Sequence, residues 1–461
     1  MASPKIKLDP AAPTTSTPEG DVAATYSETW YSTLIQIVIP FCLASTGTIV
    51  AGILLGNVQD WRVFKEMSEL IVLVPALCGL KGNLDMCLAS RLTTHSKLGQ
   101  LGNFRDIRQI VIANMALVQA QAIVSSVMIV IMTVVMGSAV ALTLMFGNFS
   151  TLAAAALITS TVSSTILDSL LMGVILFSQR YHFNPDYLAT PIVASIGDVV
   201  SISLLSLSAA ILYDLSATHV WISLIIMFCY LFLFLPFWIT LILNNIYTRQ
   251  ALKYAWIPLA AALFINEIGG YVLSSAVVQF KGFAVFSPII NGICGNLVCV
   301  QASNMGSIMH HRSELGTFPE GSRICESPWR VLLVGTIYSR VARILICISI
   351  PANALLVYVA DYFYKSYISV NVIFVASFVL TSLLQLLILL WTAHVLIHLL
   401  WRWKIDPDSS AIPYLTALGD CVGTSFLSIM FHLLRLSNQE YQPKTMPWIR
   451  LDYDTVRFLK P

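Results

Sequence analysis

Residues 75–94 read PALCGLKGNLDMCLASRLTT, and residues 288–307 read PIINGICGNLVCVQASNMGS. They match without a gap at seven of twenty positions: Pro75/Pro288, Gly79/Gly292, Gly82/Gly295, Asn83/Asn296, Leu84/Leu297, Ala89/Ala302 and Ser90/Ser303. Chance would give about one match in such a window. A second pair, PDYLATPIVASIGD (185–198) and PDSSAIPYLTALGD (407–420), matches at six of fourteen. The offsets are 213 and 222, so both pairs belong to one duplication with a nine-residue length difference between them. The chain is built twice.

What surrounds these segments fixes the class. Of 461 residues 57% are hydrophobic and only 11% charged, against roughly 25% charged in an ordinary soluble domain. Apolar stretches fall near 30–56, 67–91, 109–138, 150–179, 187–213, 219–243, 253–279, 282–308, 331–360, 367–401 and 410–434. Each is long enough to cross a bilayer as a helix. The expected fold is an all-α polytopic membrane protein of eleven spans. Its divisions are a polar cytoplasmic tail (1–29), a first repeat (30–213), a connector helix (214–250), a second repeat (251–434) and a C-terminal tail (435–461). Net charge is +2, which implies no polyanion-binding surface and excludes nucleic acid as a partner. Eight of the nine cysteines lie in apolar stretches without CxxC spacing and read as small buried hydrophobes. No charged-then-apolar leader opens the chain, so no cleavable signal peptide is expected.

Parity decides the symmetry. Five spans and one connector return the chain to its starting side, so the two halves enter the membrane in the same sense. The repeats are then parallel, related by an axis along the membrane normal. Fourteen Lys and Arg fall on the N-terminal side, against four in the opposite loops and five in the C-tail. That bias places the N-terminus in the cytoplasm and the C-terminus outside. The plasma membrane is the expected location, with an internal membrane such as the mitochondrial inner membrane as the alternative.

An axis between parallel halves needs residues to line it. Asp198 lies twelve residues beyond Asp186, and Asp420 twelve beyond Asp408, which puts both carboxylates about 18 Å deep. An aspartate at that depth is costly unless compensated, and a divalent cation can compensate two together. Thr416, Thr424 and Ser428 form a polar stripe with Asp420, as Ser195 and Ser201 do with Asp198, offering oxygen ligands or water partners. The Gly79-x-x-Gly82-Asn83 and Gly292-x-x-Gly295-Asn296 segments invite a local helix break, leaving the amide oxygens of Asn83 and Asn296 as hard ligands one level below. Close helix packing is the alternative reading of those glycines.

Other polar residues stand singly. Lys81 and Asp85 are spaced to neutralise each other, although Asp85 is also placed to attract cations at the inner mouth. Asp168 and Glu267 have no repeat counterpart, and membrane-embedded acids of this kind are functional candidates. His394 and His398 have zinc-ligand spacing without an evident third ligand and read as an interfacial pair near Trp401.

Taken together, these segments resemble solute carrier family 41, the eukaryotic MgtE-like magnesium transporters. VPALCGLKGNLDMCLASRLTT and NPDYLATPIVASIGD carry the likeness in the first half, PIINGICGNLVCVQASN and DPDSSAIPYLTALGD in the second. The resemblance covers about residues 28 to 430. It implies a duplicated MgtE-like five-helix unit, with Asp198, Asp420, Asn83 and Asn296, and further Asp85 and Gln301, along a Mg2+ pathway. It allows Na+ as a coupling ion and implies no prosthetic group, the two fused halves working as a single chain. This sequence departs from the family pattern at Cys294, Asn304, Asn266-Glu267-Ile268 and His394. A 29-residue N-terminal stretch is too short for the large cytosolic magnesium sensor of bacterial MgtE, so gating by such a domain is not expected.

Two other classes fit less well. An intramembrane aspartyl protease also uses two membrane aspartates. The glycine its signature places ahead of Gly419 is absent, however, Ala417 standing there, and Asp214 sits at a span end. An organic-solute carrier would call for unpaired basic residues at the axis, and the sequence offers none there.

Overall fold

The computed structural model describes residues 30–97, 104–141, 149–180, 185–216, 219, 221–245, 248, 256–318, 323–333, 338–405 and 407–441. The N-terminal tail and the chain beyond Tyr441 lie outside these residues, as do the side chains of Asp186, Ser195 and Asp408. Everything described is helix, turn or connecting segment, and eleven helices are long and apolar enough to cross a membrane. A lipid interior leaves a chain no other economical choice, since every backbone polar group must find its partner within the segment. The protein is therefore a polytopic, all-helical membrane protein.

In the first half the spans are α1 (Trp30–Val58), α2 (Glu69–Lys97), α3 (Phe104–Ala141), α4 (Phe149–Arg180) and α5 (Pro185–Ser216). The second half repeats the series as α7 (Trp256–Gln279), α8 (Phe283–Arg312), α9 (Ser339–Lys365), α10 (Val372–Arg402) and α11 (Pro407–Leu436). Between them runs α6 (Trp221–Leu243), which relaxes to a π-helical turn over Tyr230–Phe234. The eleven spans read from the sequence coincide with these helices, apart from shifts at their ends. The largest shift is at α9: the expected span from 331 is divided into a one-turn helix, Pro328–Leu332, and α9 from Ser339.

The halves are interleaved. α1 packs on α5 of its own half and on α8 of the other, while α7 packs on α11 and on α2. Each crossing needs a residue without a side chain. A Cβ at Gly52 of α1 would run into the Val285 carbonyl oxygen of α8, and one at Gly270 of α7 into the Val72 carbonyl oxygen of α2. Val72 and Val285 are repeat equivalents, so one contact is made twice around the axis. Such small-residue crossings let membrane helices approach backbone to backbone.

α6 stands apart. Only 6% of its length is buried, against α3 and α4, so its Phe and Leu side chains face lipid. One end of the second half is sealed by Phe286, Phe374, Phe431 and Tyr441, whose rings stack at 5.0–5.6 Å. Offset and edge-on aromatic contacts of this kind add to the area they bury. Beside them Asp361 accepts from Ser369 N, Val370 N, Ser369 Oγ and Tyr441 OH, a fully bonded acid that ties α9 to α10. The polar link between α8 and α9 is clamped to α10 by Trp401 Nε1 on Thr317 O (2.7 Å), Trp391 Nε1 on Glu326 O (3.0 Å) and His394 Nε2 on Arg323 O (3.2 Å).

Candidate cation site

Where the four middle helices converge, a cavity of about 140 Å³ opens between the halves. α2 and α5 supply one wall, α8 and α11 the other, with Thr48 of α1 and Leu273 of α7 at the flanks. The cavity exists because two glycines leave room for it. A Cβ at Gly82 or Gly295 would meet no atom within 4 Å, whereas one at Gly79 would collide with Asn266 and one at Gly292 with Thr48. Within each GxxGN segment the first glycine admits a neighbouring helix and the second leaves open space.

The helix break expected at these segments is not formed. α2 and α8 run through Gly82-Asn83 and Gly295-Asn296 as continuous helix, so no freed carbonyls are available there as ligands. Neighbouring α7 and α1 fill the notches at Gly79 and Gly292, which keeps the helical hydrogen bonds in place. Pro75 and Pro288, both in the cavity wall, interrupt the ladder only by their own missing N–H.

Into this space project Asp198 from α5 and Asp420 from α11, both half-buried. Cys78 lies within hydrogen-bonding reach of Asp198. Asn296 and Asp85 also line the cavity. Asn83 does not: its Oδ1 accepts from Thr416 Oγ1 at 3.0 Å, binding α2 to α11. Gln301 lies farther along α8, where its amide donates to Tyr338 O at 3.2 Å, outside the cavity wall. Of the expected residues, four share the cavity and two stand in helix–helix contacts behind it.

Asp85 carries Lys81 at 2.7 Å, as their spacing suggested, and both line the wall. Glu267 turns away from the cavity, its Oε1 accepting from Thr133 Oγ1 at 2.5 Å. The hydroxyl stripe along α11 is divided. Thr416 faces the cavity, but Thr424 accepts from Asn291 Nδ2 at 2.9 Å and lies outside the wall.

Two independent comparisons bear on this arrangement. A family model described as MgtE, a divalent cation transporter, matches the chain twice, over residues 74–208 and 287–430. One match falls in each half, and both α6 and the first helix of each half, α1 and α7, lie outside them. The chain belongs to the MgtE family of divalent cation transporters. Among its relatives, solute carrier family 41 member 2 of Mus musculus is 37% identical over 405 residues, which is 87% of this chain and 70% of the relative. The Homo sapiens member 2 is 36% identical over 404 residues, with the same coverages of 87% and 70%. Member 3 of Rattus norvegicus is 35% identical over 415 residues, 88% of each chain. No solved structure matches. These relatives are transporters, and this MgtE-family chain is likewise a transporter and not an enzyme.

Several lining residues went unread in the sequence. Cys78, Ser287 and Asn291 face the cavity. Their positions were available from helical spacing, since Cys78 and Asn291 each stand one turn before Gly82 and Gly295 on the same helix face. The same rule marks Gln301 as misplaced. Five residues past Asn296 is about 140° around the helix, away from the cavity.

Proposed function

We infer that this divalent cation transporter carries Mg2+ through the cavity between its halves, with Asp198 and Asp420 as the paired carboxylates that receive the ion. The observation that carries this reading is their convergence, one from each repeat, on one cavity between the halves. Magnesium sheds water reluctantly and is commonly held by one or two carboxylates through a partial hydration shell. Two acids, the Asn296 amide and room for water suit such an ion. No group of three His, Cys, Asp or Glu able to hold a metal occurs among the described residues, which argues against a softer, fully protein-ligated metal.

The rest of the reading follows from topology and charge. The two five-helix halves (30–213 and 251–434) act as parallel repeats within a single chain, joined by the connector. The N-terminus is cytoplasmic, the C-terminus extracellular, and the membrane is the plasma membrane. Flux in proteoliposomes tests the ion: Mg2+ should move, Asp198→Asn and Asp420→Asn should stop it, and Ca2+ and Mn2+ should compete weakly. Retained Mg2+ flux in either variant would overturn the shared-carboxylate site. An imposed Na+ gradient in the same vesicles reads whether Na+ is the coupling ion. Tags at both ends, probed from one side, check the sidedness.

A further inference from the structure

Four ionisable side chains of the first half gather at the edge of the cavity. Lys81 and Asp85 are in its wall, Asp168 of α4 lies behind them, and Arg91 is within electrostatic range of Asp168. The Lys81 ammonium sits 2.7 Å from Asp85 Oδ1 and 4.0 Å from Asp168 Oδ1. Asp168 is fully buried, yet neither of its oxygens accepts a hydrogen bond. Arg91 does not supply one, its own Nε and Nη2 being without acceptors. A buried carboxylate lacking donors is costly and calls for an explanation. Asp85 also lies beside Asp168, and the cationic donor placed at a defined distance from it is Lys81, whose ammonium carries three donors. A displacement of Nζ by roughly 1.2 Å would bring it to charge-assisted hydrogen-bond distance of Asp168.

We propose that Lys81 is a tethered counter-cation that passes from Asp85 to Asp168 when a divalent cation enters the cavity. Asp168 is then a positioning residue: it sets cation affinity by receiving Lys81 and never touches the ion. The proposal rests on the reading that the cavity carries a divalent cation. In the empty cavity Lys81 offsets the field of Asp85, Asp198 and Asp420. An arriving cation repels the ammonium and attracts Asp85, and the ammonium needs an acceptor outside the cavity. When the ion departs, Asp85 draws Lys81 back and is not left bare. The device exists once, because Cys294, Val298 and Asn304 occupy the second-half positions of Lys81, Asp85 and Arg91.

The test is the Mg2+ dependence of flux by the full chain in liposomes. Asp168→Asn removes the charge from the second acceptor of Lys81, so KM should rise about tenfold with Vmax near that of the parent, and Asp168→Glu should restore KM. Lys81→Met combined with Asp168→Asn keeps the net charge and frees Asp85 permanently, so KM should fall at least threefold below the parent. A merely structural pair would not give shifts of opposite sign. An unchanged KM in Asp168→Asn, or a KM at or above the parent's in the double variant, overturns the switch. Should Asp168→Asn fail to fold, the charge-balanced double variant decides by the same criterion. Asp198→Asn is run alongside. If it retains flux, the cation reading fails and the switch with it. If it abolishes flux while the other variants keep the parent KM, the switch alone is wrong.

Discussion

Along α2 the cavity wall includes Val74, Cys78, Lys81 and Asp85; at the equivalent positions of α8 only Ser287 and Asn291 face the cavity, while Cys294, against Ser382, and Val298 lie outside the wall. The first wall is apolar toward the start of its helix and charged toward the end. The second is neutral throughout, with Ser287, Asn291 and Asn296 as its polar side chains. Where a helix presses closely on its neighbour the copies have stayed alike, backbone against backbone at Gly52 and Gly270 and backbone against side chain at Gly79 and Gly292. At the four side-chain positions compared they have diverged. Duplication supplied a symmetric frame, and the ion is offered an asymmetric path through it.

The largest expected effect tests what the walls share. Asp198→Asn and Asp420→Asn should each reduce Mg2+ flux by on the order of a hundredfold, about 2.7 kcal/mol in barrier terms. The double variant should be little worse than either, because residues of one site are not additive. Flux and ion binding at equal expression give the answer. A large loss at one aspartate with parent-like flux at the other would mean that the asymmetry of the walls reaches the centre.

Next come the paired glycines. Leu at Gly82 or at Gly295 enters open space, so each should cut flux by about tenfold by filling the cavity while leaving the thermal midpoint in place. Ala at Gly270 strikes a backbone carbonyl and should instead lower stability by about 1–3 kcal/mol. If flux and stability fell together in all three, the two kinds of glycine would not be functionally distinct.

The asparagines should separate the walls further. Asn296→Leu removes a cavity amide and should raise KM for Mg2+ a few-fold without loss of stability. Asn83→Leu breaks the bond from Thr416 and should cost about 1 kcal/mol of stability, with the smaller change in KM. KM titrations beside thermal melts would show it. Equal KM shifts would restore the symmetric pair of ligands that the duplicated sequence suggests.

That inequivalence shows where sequence reading ends. The spans, the duplication, the outlying α6 and the two deep aspartates are legible because they rest on apolar length and on matched segments of one chain. Asn83 and Asn296 look identical in their segments. What divides them is Thr416, present on α11, where the equivalent position of α5 is Ala194. Likewise Gly79 and Gly82 read alike until α7 is packed against one of them. Asp168 comes within 4.0 Å of Lys81 across 87 residues of chain, a distance no local spacing encodes. The helical phase of Gln301, Cys78 and Asn291, by contrast, is written in the local spacing.

The smallest effect is expected at Thr424. As a member of the hydroxyl stripe of α11, Thr424 was a plausible oxygen ligand one turn beyond Asp420. In the folded chain its hydroxyl accepts from Asn291 and lies outside the cavity wall. The first half carries Ile202 at the equivalent position, and there it does line the cavity, so an apolar side chain is compatible with this frame. Thr424→Val keeps the shape and removes the hydroxyl, with its contact to Ser287 Oγ, leaving Asn291 Nδ2 to seek water in the cavity. The cost should be about 1 kcal/mol in stability, and flux should stay within about twofold of the parent. Mg2+ flux and a thermal melt on the same preparation check both numbers. A loss of flux approaching that of Asp420→Asn would make Thr424 a ligand. The second wall would then contribute hydroxyl oxygen to the ion, and the division between a charged and a neutral wall would have to be redrawn around Asp420.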